Sequence, residues 1–181
     1  MTKHVIFFHG GGGQEDYDAD AKLAASLKLN LGATYLVDYS FLPEEDAPDM
    51  GRRQQIAGEI SKSEDGVILV GHSLGASMLL AYLSENQIKK NIAGIFLIST
   101  PFWSGDEDWV EGFKLRADFA TRLNKKIPVF FYHCRDDKDV PFDHLAIYKK
   151  ELPWATFREI PVGGHQFNNN LKIIANDIKS I

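Results

Sequence analysis

Three stretches of the 181-residue chain carry side chains that could do chemistry together. The first is Gly71-His72-Ser73-Leu74-Gly75, preceded by the apolar run Val67 to Val70 and followed by the small and apolar residues Ala76, Ser77, Met78 and Leu79. Glycines two positions either side of Ser73 let a strand and a helix meet at a sharp turn whose apex exposes the hydroxyl. The same turn sets the Leu74 N–H at a helix N-terminus, where a backbone donor without an intrahelical partner can hold an oxyanion. A tight turn closed by glycines, with no catalytic task, is the plainer alternative.

The second stretch, His133-Cys134-Arg135-Asp136-Asp137-Lys138-Asp139-Val140-Pro141, offers three carboxylates. One of them could orient a histidine, but spacing does not choose among Asp136, Asp137 and Asp139. A calcium loop would need a glycine and a terminal glutamate that this stretch lacks, so no metal is expected. In the third, Pro161-Val162-Gly163-Gly164-His165-Gln166-Phe167, His165 sits on a glycine-hinged loop from which an imidazole could take the Ser73 proton and return it to a leaving group. The other five histidines fit that task less well. His4 starts a strand, His133 lies within one, His144 opens a helix, His9 belongs to a glycine loop, and the turn directs His72 away from the attack path of Ser73.

That glycine loop is His9-Gly10-Gly11-Gly12-Gly13. A dinucleotide fingerprint starting at Gly10 needs glycine where Glu15 stands, a P-loop needs a Lys and a Ser or Thr that are absent, and the acidic residues that follow would repel a pyrophosphate. Bare backbone is better used to converge N–H groups, those of Gly11 or Gly12, on a substrate oxygen. Phe102 and Trp103 are candidates to wall a substrate pocket, whereas Trp109 and Phe113, four apart, read as packing their helix onto the sheet. The nearby Asp106, Glu107, Asp108 and Glu111 read as a solvated surface and helix start. Cys134, at a strand end, reads as a buried structural thiol.

The elements that must position these residues show as six short apolar runs: Val5 to Phe8, Thr34 to Val37, Val67 to Val70, Ile92 to Ile98, Val129 to Tyr132 and Thr156 to Ile160. Most lack a period-2 alternation, as strands buried on both faces of a parallel sheet do, while the last alternates more and is expected at an edge. Helical spacing occupies Ala21 to Leu29 (beginning after the acidic stretch Glu15 to Asp18), Arg52 to Ile60, Ala76 to Leu83, Trp109 to Leu123, His144 to Leu152 and a C-terminal stripe of Leu171, Ile174, Ala175 and Ile178. Strand and helix alternate throughout, which predicts an α/β fold: a three-layer sandwich with a mostly parallel six-stranded sheet and helices on both faces. Residues 1–181 are expected to form one domain. Ligands of such sheets bind at the carboxyl ends of the strands, where the motifs above fall.

Composition narrows the partners. Twenty Lys and Arg against 25 Asp and Glu give a net charge of −5, with no basic run, so nucleic acid is a poor partner. The apolar runs are strand-sized, far short of the ~20 residues that span a bilayer, and the N-terminus shows no export signal, so no membrane partner is expected. A single cysteine fits a reducing compartment, and a cytoplasmic location is expected. Oligomeric state is not legible.

Through Phe8-His9-Gly10-Gly11, the elbow at Ser73, Asp137-x-x-Val140-Pro141, Gly163-Gly164-His165 and the chain order Ser, Asp, His, the sequence resembles the α/β-hydrolase superfamily. The resemblance runs from the first strand to the last helix and is nearest to small single-domain serine hydrolases with little or no cap. It implies Ser73 as nucleophile, His165 as base and Asp137 as orienting acid, since Asp137 stands three residues before Val140-Pro141, with Asp139 in reserve. It also implies an oxyanion hole from the N–H groups of Leu74 and Gly11, Gly12 being the alternative to Gly11. The activity implied is carboxylesterase-like cleavage of a small acyl substrate through an acyl-enzyme, without a cofactor. A thioesterase or amidase with the same triad, or a non-catalytic binding protein on this scaffold, would be compatible alternatives.

Overall fold

The six apolar runs form one sheet, in a computed structural model that describes residues 2–181. Its strands are β1 (Lys3–Phe8), β2 (Tyr35–Asp38), β3 (Val67–His72), β4 (Ile92–Ile98), β5 (Val129–Cys134) and β6 (Thr156–Ile160), in the spatial order β2-β1-β3-β4-β5-β6 with every neighbouring pair parallel. The helices are α1 (Gln14–Leu31), α2 (Arg52–Lys62), α3 (Leu74–Glu85), α4 (Phe119–Arg122), α5 (Asp143–Glu151) and α6 (Lys172–Lys179).

Direction of travel decides which face each helix covers. The chain steps one way from β1 to β2 and then back the other way from β2 through β6, and right-handed crossovers put α1 on one face and α2, α3 and α5 on the other. After β6 the chain returns, and α6 joins α1. The cores follow: Val5, Phe7, Ile68, Val70, Phe96 and Ile98 point to the side of α1 and α6, while Ile6, Phe8, Leu69 and Leu97 alternate with them and point to the side of α2, α3 and α5. Strands that feed two cores carry apolar residues at every position, which is why they lack alternation. β6 lies at an edge, as its alternation indicates.

Two elements depart from the sequence reading. The acidic stretch before the first helix lies inside it: α1 starts at Gln14, Glu15 and Asp16 occupy its first turn, where the helix dipole favours negative charge, and Asp16 accepts the N–H groups of Gly12 and Gly13. The expected helix from Trp109 to Leu123 is instead a 3-10 turn, Asp108–Phe113, followed by the single-turn α4. Gly112 weakens a helix there, and Arg53 draws off the Gly112 carbonyl at 2.6 Å and the Lys114 carbonyl at 3.4 Å. Among the described residues no helix is long and apolar enough to cross a membrane.

The reversal of direction between β1 and β3 leaves a crevice at their carboxyl ends, where Phe8 is in register with Gly71. The glycine loop and the Ser73 turn both open into it.

Candidate active site

Ser73 joins β3 to α3 with φ 52° and ψ −123°, a backbone conformation that L-residues rarely adopt. Its flanking glycines follow from close approach. A Cβ at Gly71 would stand 2.6 Å from Ala76 Cα, and one at Gly75 would run into the carbonyl oxygens of Phe8 and His9. Bare backbone at Gly71 lets the start of α3 fold tightly back on β3, and bare backbone at Gly75 lets the turn lie against the end of β1. The Ser73 N–H donates to the Ile98 carbonyl at 2.9 Å, which ties the apex to β4 as well. Leu74 opens α3, so its N–H has no intrahelical acceptor and stands at the positive end of the helix dipole.

The turn after β5 gives its three carboxylates different tasks. The Asp137 side chain is inaccessible to solvent. Its Oδ1 accepts the N–H groups of Asp139 and Val140 at 3.0 Å, and His165 Nδ1 lies 3.1 Å from Oδ1 and 3.0 Å from Oδ2. Burial works to raise the Asp137 pKa, but the hydrogen bonds from His133, His165 and Val140 outweigh it and hold the carboxyl well below the usual carboxylate range. A carboxylate only accepts, so His165 Nδ1 carries a proton and Nε2 of the neutral ring keeps its lone pair. Asp136 Oδ1 accepts the Gly163 and Gly164 N–H groups at 2.9 and 2.8 Å, pinning the loop that presents His165. Asp139 is exposed and lines the cleft beside Ser73. Ligand atoms of Asp137, Asp139 and His165 come within 4.8 Å of one another, yet the Asp137 oxygens already accept N–H donors, so this set serves the imidazole in preference to a cation.

The glycine loop is held from three sides. His9 is fully buried. Its Nε2 accepts the Leu42 N–H at 2.9 Å, so the ring proton is on Nδ1, which donates to the Gly10 carbonyl at 2.7 Å. Burial favours this neutral ring and lowers the His9 pKa. Fixing the Gly10 carbonyl fixes the plane of the next peptide, and the Gly11 N–H points the opposite way. Arg52, also fully buried, donates to the Gly11 carbonyl at 2.7 Å. The Gly12 and Gly13 N–H groups both turn to Asp16 Oδ2 at 3.2 Å. Of the two candidate donors, Gly11 is the one not engaged by Asp16.

Ser73 sits where two recesses meet. One holds His165, His72, Asp20 and Gln166; the other, of roughly 370 Å³, is walled by Gly12, Leu74, Trp103, Trp109 and Phe113, and Gly11 and Asp139 border both. Trp103 is anchored by Nε1 donating to Ser77 Oγ at 3.0 Å and packs against Phe113 with ring centroids 5.1 Å apart. Phe102 does not line the cleft. Its ring meets Tyr148 edge-on at 5.5 Å, and only its N–H bears on the site, by donating to Nδ1 of the cleft residue His144 at 3.0 Å. Trp109, expected to pack onto the sheet, is 62% exposed and borders the cleft because its segment is a 3-10 turn and not a helix lying on the sheet. Phe113 is buried in the core and also borders the cleft.

Met50, Pro101, Val140, Pro141 and His144 also border the cleft, and sequence reasoning passed them over as site residues. Val140 and Pro141 follow a strand end, a position that marks them; Met50 comes from the irregular stretch 41–51, where no pattern does. Cys134 is fully buried away from these recesses, and burial pushes its thiol up to about 12.

A sequence model described as the alpha/beta hydrolase family matches residues 5–124. Among solved structures, the ydeN gene product of B. subtilis superposes with a TM-score of 0.73 at 20% identity, covering 99% of this chain and 98% of that one. Arabidopsis thaliana SOBER1 gives 0.70 at 16% identity with 99% of both chains covered, and Est1E from Butyrivibrio proteoclasticus gives 0.68 at 17%, covering 99% of this chain and 86% of that one. No curated protein matches the sequence. The match of the sequence model over more than half of the chain, on a parallel sheet of this order, shows that the protein belongs to the alpha/beta hydrolase family.

Proposed function

We propose that the protein is a serine hydrolase that cleaves small carboxylic esters through an acyl-enzyme on Ser73, with residues 1–181 acting as one catalytic domain. The observation that carries this reading is the clamp of His165 Nδ1 on the buried Asp137 carboxylate, at 3.0 and 3.1 Å, in a recess bordered by the half-buried apex at Ser73. In the first step Ser73 Oγ attacks the carbonyl carbon while His165 Nε2 takes the hydroxyl proton, and Asp137 keeps the ring oriented and stabilises the imidazolium. The oxyanion is held by the N–H groups of Leu74 and Gly11. The carbon–oxygen bond to the alcohol then breaks as His165 returns the proton to the leaving oxygen. Water, deprotonated by the same nitrogen, attacks the acyl-enzyme, and the acid leaves as Ser73 regains its proton. The steps draw on groups of the chain and water.

The cleft suits a small, neutral substrate. Its aromatic wall of Trp103, Trp109 and Phe113 accepts a short acyl or aromatic group. Carboxylates of Asp16 and Asp139 border the recesses, so an anionic leaving group such as the phosphates of a coenzyme A thioester meets like charge. Turnover of p-nitrophenyl acetate and butyrate tests the reading. Wild type is expected to turn over both and Ser73→Ala neither, with unchanged circular dichroism; equal turnover by the variant would refute it, and inactivity of both would favour a binding protein on this scaffold.

A further inference from the structure

Two buried groups next to the triad have no task in the steps above. Asp20 on α1 and His72 at the end of β3 have side chains 2% and 1% exposed. His72 Nδ1 lies 2.8 Å from Asp20 Oδ2, and His72 Nε2 lies 3.0 Å from the backbone carbonyl of His165. A carbonyl oxygen only accepts, so Nε2 carries a proton. Asp20 Oδ2 also accepts the Gly10 N–H at 2.8 Å, and Oδ1 accepts the Gln166 side-chain amide at 3.0 Å. Surrounded by donors in this way, Asp20 is a carboxylate and His72 Nδ1 carries a proton too. His72 is therefore an imidazolium, and the two form a buried, net-neutral pair. Burial works against both charges, but the Asp20 carboxylate raises the His72 pKa and His72 in turn lowers that of Asp20.

Each bond of the pair ends on a segment that the proposed chemistry needs. Gly10 precedes the oxyanion donor Gly11, His72 precedes the nucleophile, and the His165 carbonyl and Gln166 belong to the base loop. These segments lie 10, 52 and 146 residues from Asp20 along the chain, so nothing local holds them in register. A buried ion pair adds little net stability, because desolvation offsets its attraction; what it supplies is one preferred arrangement of the groups around it. We propose that Asp20 and His72 are a positioning pair that locks the oxyanion loop and the base loop onto the serine turn, so that the His165 ring, the Gly11 N–H and the Ser73 hydroxyl keep one mutual geometry. This rests on the triad reading above. The other charged or titratable groups facing the pair are His165, whose ring centroid is 4.6 Å from that of His72, Asp137 behind it, His9 and Tyr39 on the side of Asp20, and Asp16 and Asp139 on the rim of the same recess.

Two measurements on the full chain test the pair. In ring-nitrogen NMR of the unsubstituted protein, with the ring signals assigned through correlations to the His72 backbone, both His72 nitrogens are expected to remain protonated as pH rises past the ordinary 6.5. A His72 ring that titrates near 6.5 overturns the ion pair even if every variant fails to fold. In kinetics with p-nitrophenyl butyrate, Asp20→Asn and His72→Gln are each expected to lose about 10- to 100-fold in kcat with KM within about twofold, and the double variant to be no worse than the worse single one. Wild-type kcat in either variant, or a loss confined to KM, overturns the positioning role. Fluorophosphonate labelling separates the two readings. An unlabelled wild type sinks the triad reading and the positioning role with it while the NMR result still decides the ion pair; a labelled wild type with kinetically normal variants sinks the positioning pair alone.

Discussion

Asp136, Asp137 and Asp139 stand within four positions of one another and differ entirely in what they hold, one a loop backbone, one an imidazole and one only solvent and the cleft. Those partners predict a graded series. Asp137→Asn leaves an amide that can donate to His165 Nδ1 and favour the wrong tautomer, so kcat for p-nitrophenyl butyrate is expected to fall by about 10³ to 10⁴ with little change in KM. Asp139→Asn leaves every bond to His165 in place and is expected to stay within about fivefold in kcat while improving kcat/KM for anionic esters, by removing like charge from the cleft. A large loss at Asp139 and none at Asp137 would reverse the assignment. Sequence alone singles out Ser73 and His165 because their surroundings are local, glycines two positions either side of one and a glycine pair before the other. It does not single out a carboxylate, because the choice depends on how a turn folds back to meet a loop 28 residues further on.

The same limit applies to elements. Strands and most helices were legible because burial on one or two faces writes a period into each, and the C-terminal stripe of Leu171, Ile174, Ala175 and Ile178 is fully buried as α6 packs beside α1. Ile174→Ala is expected to cost about 2 to 5 kcal/mol, lowering the melting point by roughly 5 to 15 °C without changing KM; no shift would mean that α6 is not packed as described. The segment from Trp109 was not legible as a 3-10 turn, because the guanidinium that takes its carbonyls belongs to Arg53, 59 residues away from Gly112. Its consequence is that Trp109 borders the cleft with an exposed ring. Trp109→Ala is expected to raise KM for aromatic esters by about 5- to 20-fold while leaving kcat and the melting point nearly unchanged, the loss being ground-state contact. Loss of stability with KM intact would instead place Trp109 in the packing.

For the whole molecule, folding brings titratable groups into environments that set its pH limits. The Asp137 pKa is depressed by folding below its ordinary 3.8, so its stabilisation is in force above that value and is lost as pH falls through the lower folded one. Asp20 behaves likewise. His72 is raised above 6.5, so its share is complete below 6.5 and is lost as pH rises through the folded value. A melting-point profile is therefore expected to fall off below about pH 4, with the fall shallower in Asp137→Asn. The central claim is that one hydroxyl, placed by a strand-to-helix turn at the crevice between β1 and β3, is made nucleophilic by His165. Intact-mass analysis after fluorophosphonate treatment tests it most directly. One adduct per chain is predicted, mapping to Ser73, absent in Ser73→Ala and strongly slowed in His165→Ala; a wild type left unmodified, or an adduct that persists in Ser73→Ala, would contradict it.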